Sequence, residues 1–324
     1  LDQVMTTLPV SVVMPVFNAA PYLEKSIESI LNQSLRYFEF IILNDGSTDN
    51  SEEIILSFSD PRIRYYKNLE NLGLIQTLNR GIELSEGNYI ARMDADDIAA
   101  STRLAKQLEF MSSNPEVVVC GSQAEMIDSD GKVFGTMKCP VIQDVIKSSH
   151  LFNNAFIHPT TFFKADILKI FKYSEGYEHA EDYYLLAKLI SRYEVANLED
   201  ILLSYRVHST NVSSLYHRQT AKSRKKVHPF QMENLLNAEP GENSIELLES
   251  FSISNFEQFE LENYESFLQM MRDSNQTSGI YNQAVFERQL AEWRFRVLMS
   301  KAGRGILRRY FNSKMFNWSL LTMR

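Results

Sequence analysis

An α/β domain with a mostly parallel sheet, followed by a helical region, is the fold class that the sequence predicts. Two observations carry the first half. Short β-branched apolar runs alternate with segments whose apolar residues recur at helical spacing, and the runs end in clusters of Asn, Asp, Gly or Pro. One observation carries the second half: beyond about residue 215 strand signals vanish, and amphipathic helical segments continue through Trp293 to Met323. The expected division is therefore 1–215 and 216–324.

Val10-Ser11-Val12-Val13-Met14, ended by Pro15, reads as a buried strand of a parallel sheet. Asn18 is placed to cap the next helix, with Pro21 near its first turn and Leu23, Ile27, Ile30 and Leu31 at helical spacing. A second buried strand runs from Phe38 to Leu43 and into Asn44-Asp45-Gly46-Ser47-Thr48-Asp49. There Asp49 with Glu52 fits a capping box for a helix carrying Ile54, Ile55 and Phe58. Ile63 to Tyr66 is a third strand and Asn68 to Gly73 a loop. Leu74, Leu78 and Ile82 mark a helix closed by Gly87. Tyr89 to Met93 is a fourth strand, Arg103 to Met111 a helix and Val117 to Cys120 another strand. A helix around Val141 to Ser149 leads to Ile157-His158-Pro159-Thr160-Thr161-Phe162-Phe163. Glu181-Asp182 then opens a helix with Leu185, Leu186, Leu189 and Ile190, and Leu202 to Val207 closes the sheet before His208. Right-handed crossovers put ligands beyond the carboxyl ends of such strands. Pro15 to Phe17, Asn44-Asp45 and Asp94 to Asp96 are thus expected to converge on one crevice.

The composition narrows the partners. A net charge of -8 disfavours nucleic acid. Cys120 and Cys139 lack metal-ligand spacing and read as free thiols in a reducing, cytoplasmic compartment. Charges interrupt every apolar run before the ~18 residues that a membrane span needs, and Leu1 to Thr7 lacks the layout of a secretory signal.

Chemistry is concentrated in Arg92-Met93-Asp94-Ala95-Asp96-Asp97. Asp94 and Asp96, one residue apart at a strand end, project to the same side of the chain. Crowded carboxylates suit a hard divalent cation, Mn²⁺ or Mg²⁺, although an acidic turn before a helix reads equally well from these residues alone.

The set Val12-Val13-Met14-Pro15-Val16-Phe17-Asn18, Asn44-Asp45-Gly46-Ser47-Thr48-Asp49 and Asp94-Ala95-Asp96-Asp97 resembles family 2 glycosyltransferases. So do Asn71-Leu72-Gly73-Leu74, His158-Pro159-Thr160, Glu181-Asp182 and Tyr205-Arg206-Val207-His208, in that order. The resemblance covers about residues 8 to 215. It implies a GT-A fold and transfer of a sugar from a nucleotide-sugar, a UDP-sugar first among the candidates, with inversion at the anomeric carbon. It places Pro15, Phe17 and Asn18 at the nucleobase, with Phe where the family usually has Tyr, which keeps stacking and loses a phenolic hydrogen bond. Asp45 matches the carboxylate that accepts the uracil imide N–H, and Asn71 and Gly73 match a loop near the ribose and phosphates. Asp96 matches the cation ligand, and Asp94 touches the ribose or a metal-bound water. Asp97 instead caps the following helix, with Arg103 as an electrostatic neighbour. Asp182 matches the catalytic base. Glu181 and His158 fall to the acceptor side, His208 is either a metal ligand or structural, and Arg206 is a candidate for phosphate or for the neighbourhood of Asp182.

Processive relatives carry membrane helices and Gln-x-x-Arg-Trp. Gln289-Leu290-Ala291-Glu292-Trp293 has Glu in the Arg position, which fits addition of single sugars. Gly303 to Met315 sets Ile306, Leu307, Tyr310 and Phe311 beside Arg304, Arg308, Arg309 and Lys314. Such a helix either lies on an anionic bilayer, at the inner face of the membrane, or packs on the catalytic domain or on a second copy in a homo-oligomer. The acceptor implied is a glycan or a lipid-linked glycan of surface-polysaccharide assembly. Two other classes compete: a nucleotide-sugar-binding protein without transferase activity, and a nucleotidyltransferase. The latter needs a Gly-rich basic loop after its first strand, which Pro15-Val16-Phe17-Asn18 is not.

Overall fold

Apolar runs buried on both faces form the centre of a nine-stranded sheet. The computed structural model describes residues 8–208 and 217–301. By internal contacts the chain divides into two units, Leu1–Gln143 with Phe156–Thr220, and Asp144–Ala155 with Ala221–Arg324. In chain order the elements are β1 (Val10–Val16), α1 (Ala20–Leu31), β2 (Glu39–Asp45), α2 (Ser51–Ser57), β3 (Ile63–Asn68), α3 (Leu74–Leu84), β4 (Tyr89–Arg92), β5 (Ile98–Ala99), α4 (Arg103–Ser113), β6 (Val117–Ile127) and β7 (Val133–Met137). There follow α5 (Gln143–His150), a 3₁₀ turn (His158–Thr160), β8 (Phe162–Lys164), α6 (Ala165–Phe171), α7 (Glu181–Ile190), β9 (Glu194–Arg206), α8 (His217–Leu236), α9 (Glu242–Ser252), α10 (Leu261–Ser278) and α11 (Gln283–Ser300).

The sheet order is β3-β2-β1-β4-β8-β6-β9-β5, with β7 paired to β6. The β3-β2-β1-β4 half is wholly parallel. β6 and β9 are also parallel, whereas β8 runs antiparallel to β4 and β6, and β5 antiparallel to β9. Because β1 lies between β2 and β4, the chain turns one way after β1 and the other way at β4. That reversal is the switch point at which open α/β sheets bind ligands. The register sets Val16 beside Asn44, Asp45 beside Asn68 and Val13 beside Arg92, so the polar strand ends share one edge.

Several local expectations are corrected. Asn18 has φ 50° and does not cap α1; Ala19 holds that place, because the Asn18 Oδ1 accepts the Thr48 N–H at 2.8 Å. The Asp49–Glu52 capping box does not form. Asp49 instead accepts the N–H groups of Ala20 and Ser51, both at 3.0 Å, and Glu52 accepts from the Tyr65 hydroxyl at 2.9 Å. β6 and β9 extend well past the expected Val117 to Cys120 and Leu202 to Val207. Polar residues inside them find backbone partners, as where Gln123 Nε2 donates to Leu198 O at 2.9 Å and Asn197 Nδ2 to Pro140 O at 2.8 Å.

The second unit is helical and has its own core, centred on Phe251. Its ring meets Phe152, Tyr264 and Trp293 edge-on at centroid distances of 5.8, 5.5 and 5.4 Å. Gly279, at φ 65°, ends α10 in the left-handed conformation that a residue with a Cβ resists. No described helix is long and apolar enough to cross a membrane. The basic segment Gly303 to Met315 lies outside the described residues.

Fully buried in this unit, His228 meets the Ser252 hydroxyl at 3.2 Å and Glu249 at 3.5 Å. Burial, reinforced by Arg224 and Lys225, holds its pKa down at about 3. The unfolded chain protonates this side chain below about pH 6.5, whereas the folded chain resists, so stability is expected to fall with falling pH between those two values. The loss approaches ~1.4 kcal/mol per pH unit in that window. Urea titrations of the wild type and His228→Gln, followed by helical circular dichroism, are expected to show the shallower pH dependence in the variant.

Candidate active site

Three loops at the carboxyl edge are tied to one another before any ligand is considered. The Asn18 N–H donates to Ser47 Oγ at 3.0 Å, which joins the β1–α1 loop to the β2–α2 loop. Asp45 is buried at the end of β2. Its Oδ1 accepts from Asn68 Nδ2 at 2.7 Å and Leu72 N at 2.9 Å, and its Oδ2 from Gly73 N at 3.0 Å. Asn71 Oδ1 also accepts the Gly73 N–H, at 2.9 Å. Pro15 stands opposite Leu43 within the sheet, and Phe17, one residue past the strand, is half exposed. Asn44 is structural: its Oδ1 accepts Ser47 N at 2.9 Å and its Nδ2 donates to the Tyr65 hydroxyl at 3.3 Å.

The acidic run beyond β4 folds back on itself. Ser26 Oγ of α1 donates to the carbonyls of Asp94 and Asp97 and so closes the turn. Asp94, Asp96 and Asp97 each offer a carboxylate oxygen, all within 4.8 Å of one another. Asp94 forms an ion pair with Arg92, and His208 Nε2 meets Asp96 Oδ2 at 3.0 Å. Asp97 is buried. Its Oδ1 accepts the Arg206 N–H at 2.8 Å, while its Oδ2 has no hydrogen-bond partner among the described residues. Burial and then repulsion from Asp94 push the Asp96 carboxyl up, against the hydrogen bond from His208. Burial followed by Asp94 and Asp96 pushes Asp97 well up. Mutually repelling oxygen donors, one of them buried and unpaired, fit a hard divalent cation.

One expectation fails at this cluster. Asp97 does not cap α4, whose N-cap is Thr102; its carboxylate holds the last strand instead. The Arg206 side chain is engaged by main-chain carbonyls. Its Nε donates to Asp96 O at 2.8 Å, and its Nη1 to Asp128 O at 2.9 Å and Ser129 O at 3.2 Å. The Tyr22 ring lies 4.7 Å from the Arg206 guanidinium and 4.8 Å from the His208 ring.

A second cluster joins the 3₁₀ turn to the start of α7. His158, Glu181 and Asp182 offer ligating atoms within 4.8 Å of one another. The acids stand in the first turn, where the helix dipole favours them. Glu181 is buried, and that burial, with Asp182 beside it, raises its pKa to about 8. His158 Nε2 meets the Tyr173 hydroxyl at 2.7 Å, and burial together with Arg92 holds its imidazole well below the usual range, hence neutral. Burial likewise raises the Tyr173 hydroxyl, on which Arg92, Asp182, Glu181 and Asp94 all act. Tyr173 and Arg92 line one small cavity, and through the Tyr173 hydroxyl that cavity reaches His158 of the second cluster.

Sequence reasoning assigned no role to Arg92 or Tyr173. An arginine ending the buried run Tyr89-Ile90-Ala91 was the available signal. Tyr173 carried none, since its place depends on backbone bonds to Asn79 of α3 at 2.9 Å each.

The sequence pattern described as glycosyl transferase family 2 matches residues 11–171. An uncharacterized glycosyltransferase of Haemophilus influenzae is 34% identical over 232 residues, 67% of this chain and 71% of the relative. The O-antigen biosynthesis glycosyltransferase WbnJ of Escherichia coli is also 34% identical, over 65% of this chain and 85% of its own length. Among solved structures, S. aureus TarS 1-349 in complex with UDP-GlcNAc aligns with a TM-score of 0.59 at 16% identity, covering 89% of this chain and 88% of that one. The mannosyltransferase PcManGT of Pyrobaculum calidifontis, in complex with GDP-Man and Mn²⁺, aligns with a TM-score of 0.54 at 15% identity, covering 92% and 89%. The chain belongs to glycosyl transferase family 2. Its catalytic-type unit has the GT-A fold, and helices follow it.

Gly46 tests how tightly the first three loops are joined. Its φ is 70°, and a Cβ would stand 2.7 Å from the backbone atoms Asn71 N and Glu70 C. The left-handed conformation alone costs a residue with a Cβ about 1–2 kcal/mol, and the clash with main chain adds to that. Gly46→Ala is expected to lower the melting temperature by several degrees, measured by differential scanning calorimetry.

Proposed function

We propose that the protein is an inverting glycosyltransferase that moves one sugar from a UDP-sugar to a hydroxyl of a glycan or lipid-linked glycan acceptor. Surface-polysaccharide synthesis is the process we assign it to, in line with the O-antigen name of WbnJ. The observation that carries this reading is the presence of two acidic clusters, one at the switch point of the sheet and one at the start of α7.

In this reading Phe17 stacks on the nucleobase beside Pro15 and Asn18. Asp45 already accepts three internal N–H groups, and a carboxylate has about four lone-pair sites, which leaves one for an imide N–H. The Asn71–Gly73 loop, fixed against Asp45, lies along the ribose and phosphates. Asp94 meets the ribose. Asp96, with His208 and Asp94, would hold Mn²⁺ or Mg²⁺, the ion present with PcManGT being Mn²⁺. A cation bound there neutralises the charge that gathers on a departing diphosphate.

Asp182 acts as the base. As the acceptor oxygen attacks the anomeric carbon from the face opposite the diphosphate, its proton passes to the Asp182 carboxylate. The new C–O bond forms as the bond to the diphosphate breaks, so one displacement inverts the centre. Glu181, protonated up to about pH 8, donates a hydrogen bond to the acceptor. Neutral His158, held by Tyr173, shapes the acceptor loop.

Addition of single sugars suits the segment Gln289 to Trp293, since Leu290 and Trp293 are buried in the core of the helical unit. That unit holds no cluster of three ligating side chains among its described residues, so we assign it to the acceptor, a second copy or the membrane surface.

A screen of UDP-sugars with Mn²⁺, read as UDP release, is expected to identify one preferred donor. Asp182→Asn is then expected to lose about 10²–10⁴-fold in kcat while binding UDP as the wild type does. Full transfer by that variant removes Asp182 from the mechanism. The basic limb of the kcat/KM profile is expected near pH 8, where Glu181 ionises, and it is expected to vanish in Glu181→Gln.

A further inference from the structure

Arg92 pairs with Asp94 of the first cluster, and it lines a small cavity with Tyr173, whose hydroxyl meets His158 of the second; it has no part in the chemistry described above. It ends β4 opposite Val13 of β1 and is only 5% exposed. One edge of its guanidinium makes the ion pair with Asp94, and its Nε has no hydrogen-bond partner among the described residues. Its charge reaches Asp97 in the acidic run, His158 in the 3₁₀ turn, Tyr173 before α7, and Glu181 within α7. Arg103 of α4 is the other cation nearby. It is occupied, donating to Arg92 O at 2.7 Å and to Gln107 Oε1 at 3.0 Å, and its charge repels that of Arg92.

A buried guanidinium that lacks carboxylates around it is costly, and carboxylates gathered in a buried space without a cation repel one another. Arg92 relieves both at once. Its planar fork offers donors along more than one edge, which a lysine ammonium on a flexible stem does not reproduce. We propose that Arg92 is a positioning residue that joins the donor side of the site to the acceptor side, holding Asp94 on one flank and offsetting the Glu181–Asp182 pair on the other. This inference rests on the reading of Asp94 as a donor contact and Asp182 as the base.

The groups facing Glu181 are Asp182 on its own helix, His158, Tyr173, Arg92 and Asp94. Removing the positive charge among them leaves Glu181 harder to ionise. In Arg92→Met the basic limb of kcat/KM is therefore expected to move up by at least about half a pH unit. In Arg92→Lys, which keeps the charge and loses the fork, the limb is expected to stay while the KM for the UDP-sugar rises severalfold. A purely structural arginine would lower the melting temperature and the active fraction and leave the limb in place, and an unmoved limb in Arg92→Met overturns the proposal.

A stability cycle keeps the test decisive if Arg92→Met folds poorly. Melted at pH 9, above the value near which Glu181 ionises in the wild type, Arg92→Met/Glu181→Gln removes one charge of each sign and is expected to melt higher than Arg92→Met alone; a double variant no more stable than the single one overturns the proposal. The controls separate the two readings. A basic limb that persists in Glu181→Gln, or full transfer by Asp182→Asn, contradicts the functional reading, and the stability cycle then decides on Arg92 by itself.

Discussion

Carboxylates of like charge crowded into a partly buried space are the constraint on which the rest of the site depends. Asp94, Asp96 and Asp97 lie together at one strand end, and Glu181 and Asp182 gather with His158 at the start of α7. Each gains from solvation, and burial withdraws it, so their neighbours must compensate. Arg92 pairs with Asp94, His208 with Asp96, and the Arg206 N–H with Asp97. What compensation does not cover shows in the raised pKa values of Asp96, Asp97 and Glu181. In the proposed reading, that residual negative potential draws a cation with its diphosphate, and it keeps one acid protonated beside an ionised base.

Topology brings these groups together. β1 sits between β2 and β4, so loops from both directions of the winding meet above it. β9 returns beside β5 and delivers His208 to the loop that β4 began. The loop residues are then locked by hydrogen bonds of their own: Asp45 holds the 72–73 backbone, Ser26 closes the Asp94–Asp97 turn, and Asn79 fixes the chain at Tyr173. Such a site is organised before it meets a donor, which lowers the ordering cost of binding.

The parts of this arrangement that depend on local pattern were legible in the sequence. Buried strands at Val10, Phe38 and Tyr89 announce themselves as β-branched runs, and Asp45, Asp94, Asp96 and Asp182 stand at the ends of predicted elements. The parts that depend on contacts between distant segments were not. Asp97 reads as a cap because acids favour helix starts, yet its carboxylate binds the backbone of Arg206, more than a hundred residues away. The commitment of the Arg206 side chain to the carbonyls of Asp128 and Ser129 leaves no periodic trace in the sequence. β6 and β9 were cut short because Gln123 and Asn197 break the apolar run, although Gln123 donates to Leu198 O of β9 and Asn197 to Pro140 O beyond β7. The Asp49–Glu52 box failed for a similar reason, since each acid found a stronger partner on a neighbouring element.

The central claim is a single displacement in which Asp182 deprotonates the acceptor opposite the departing diphosphate. Proton NMR of the product formed from the preferred donor tests it most directly, through the anomeric coupling of the transferred sugar. The account predicts a linkage of configuration opposite to that in the nucleotide-sugar, from the first turnover onward. A product that retains the donor's configuration would contradict it.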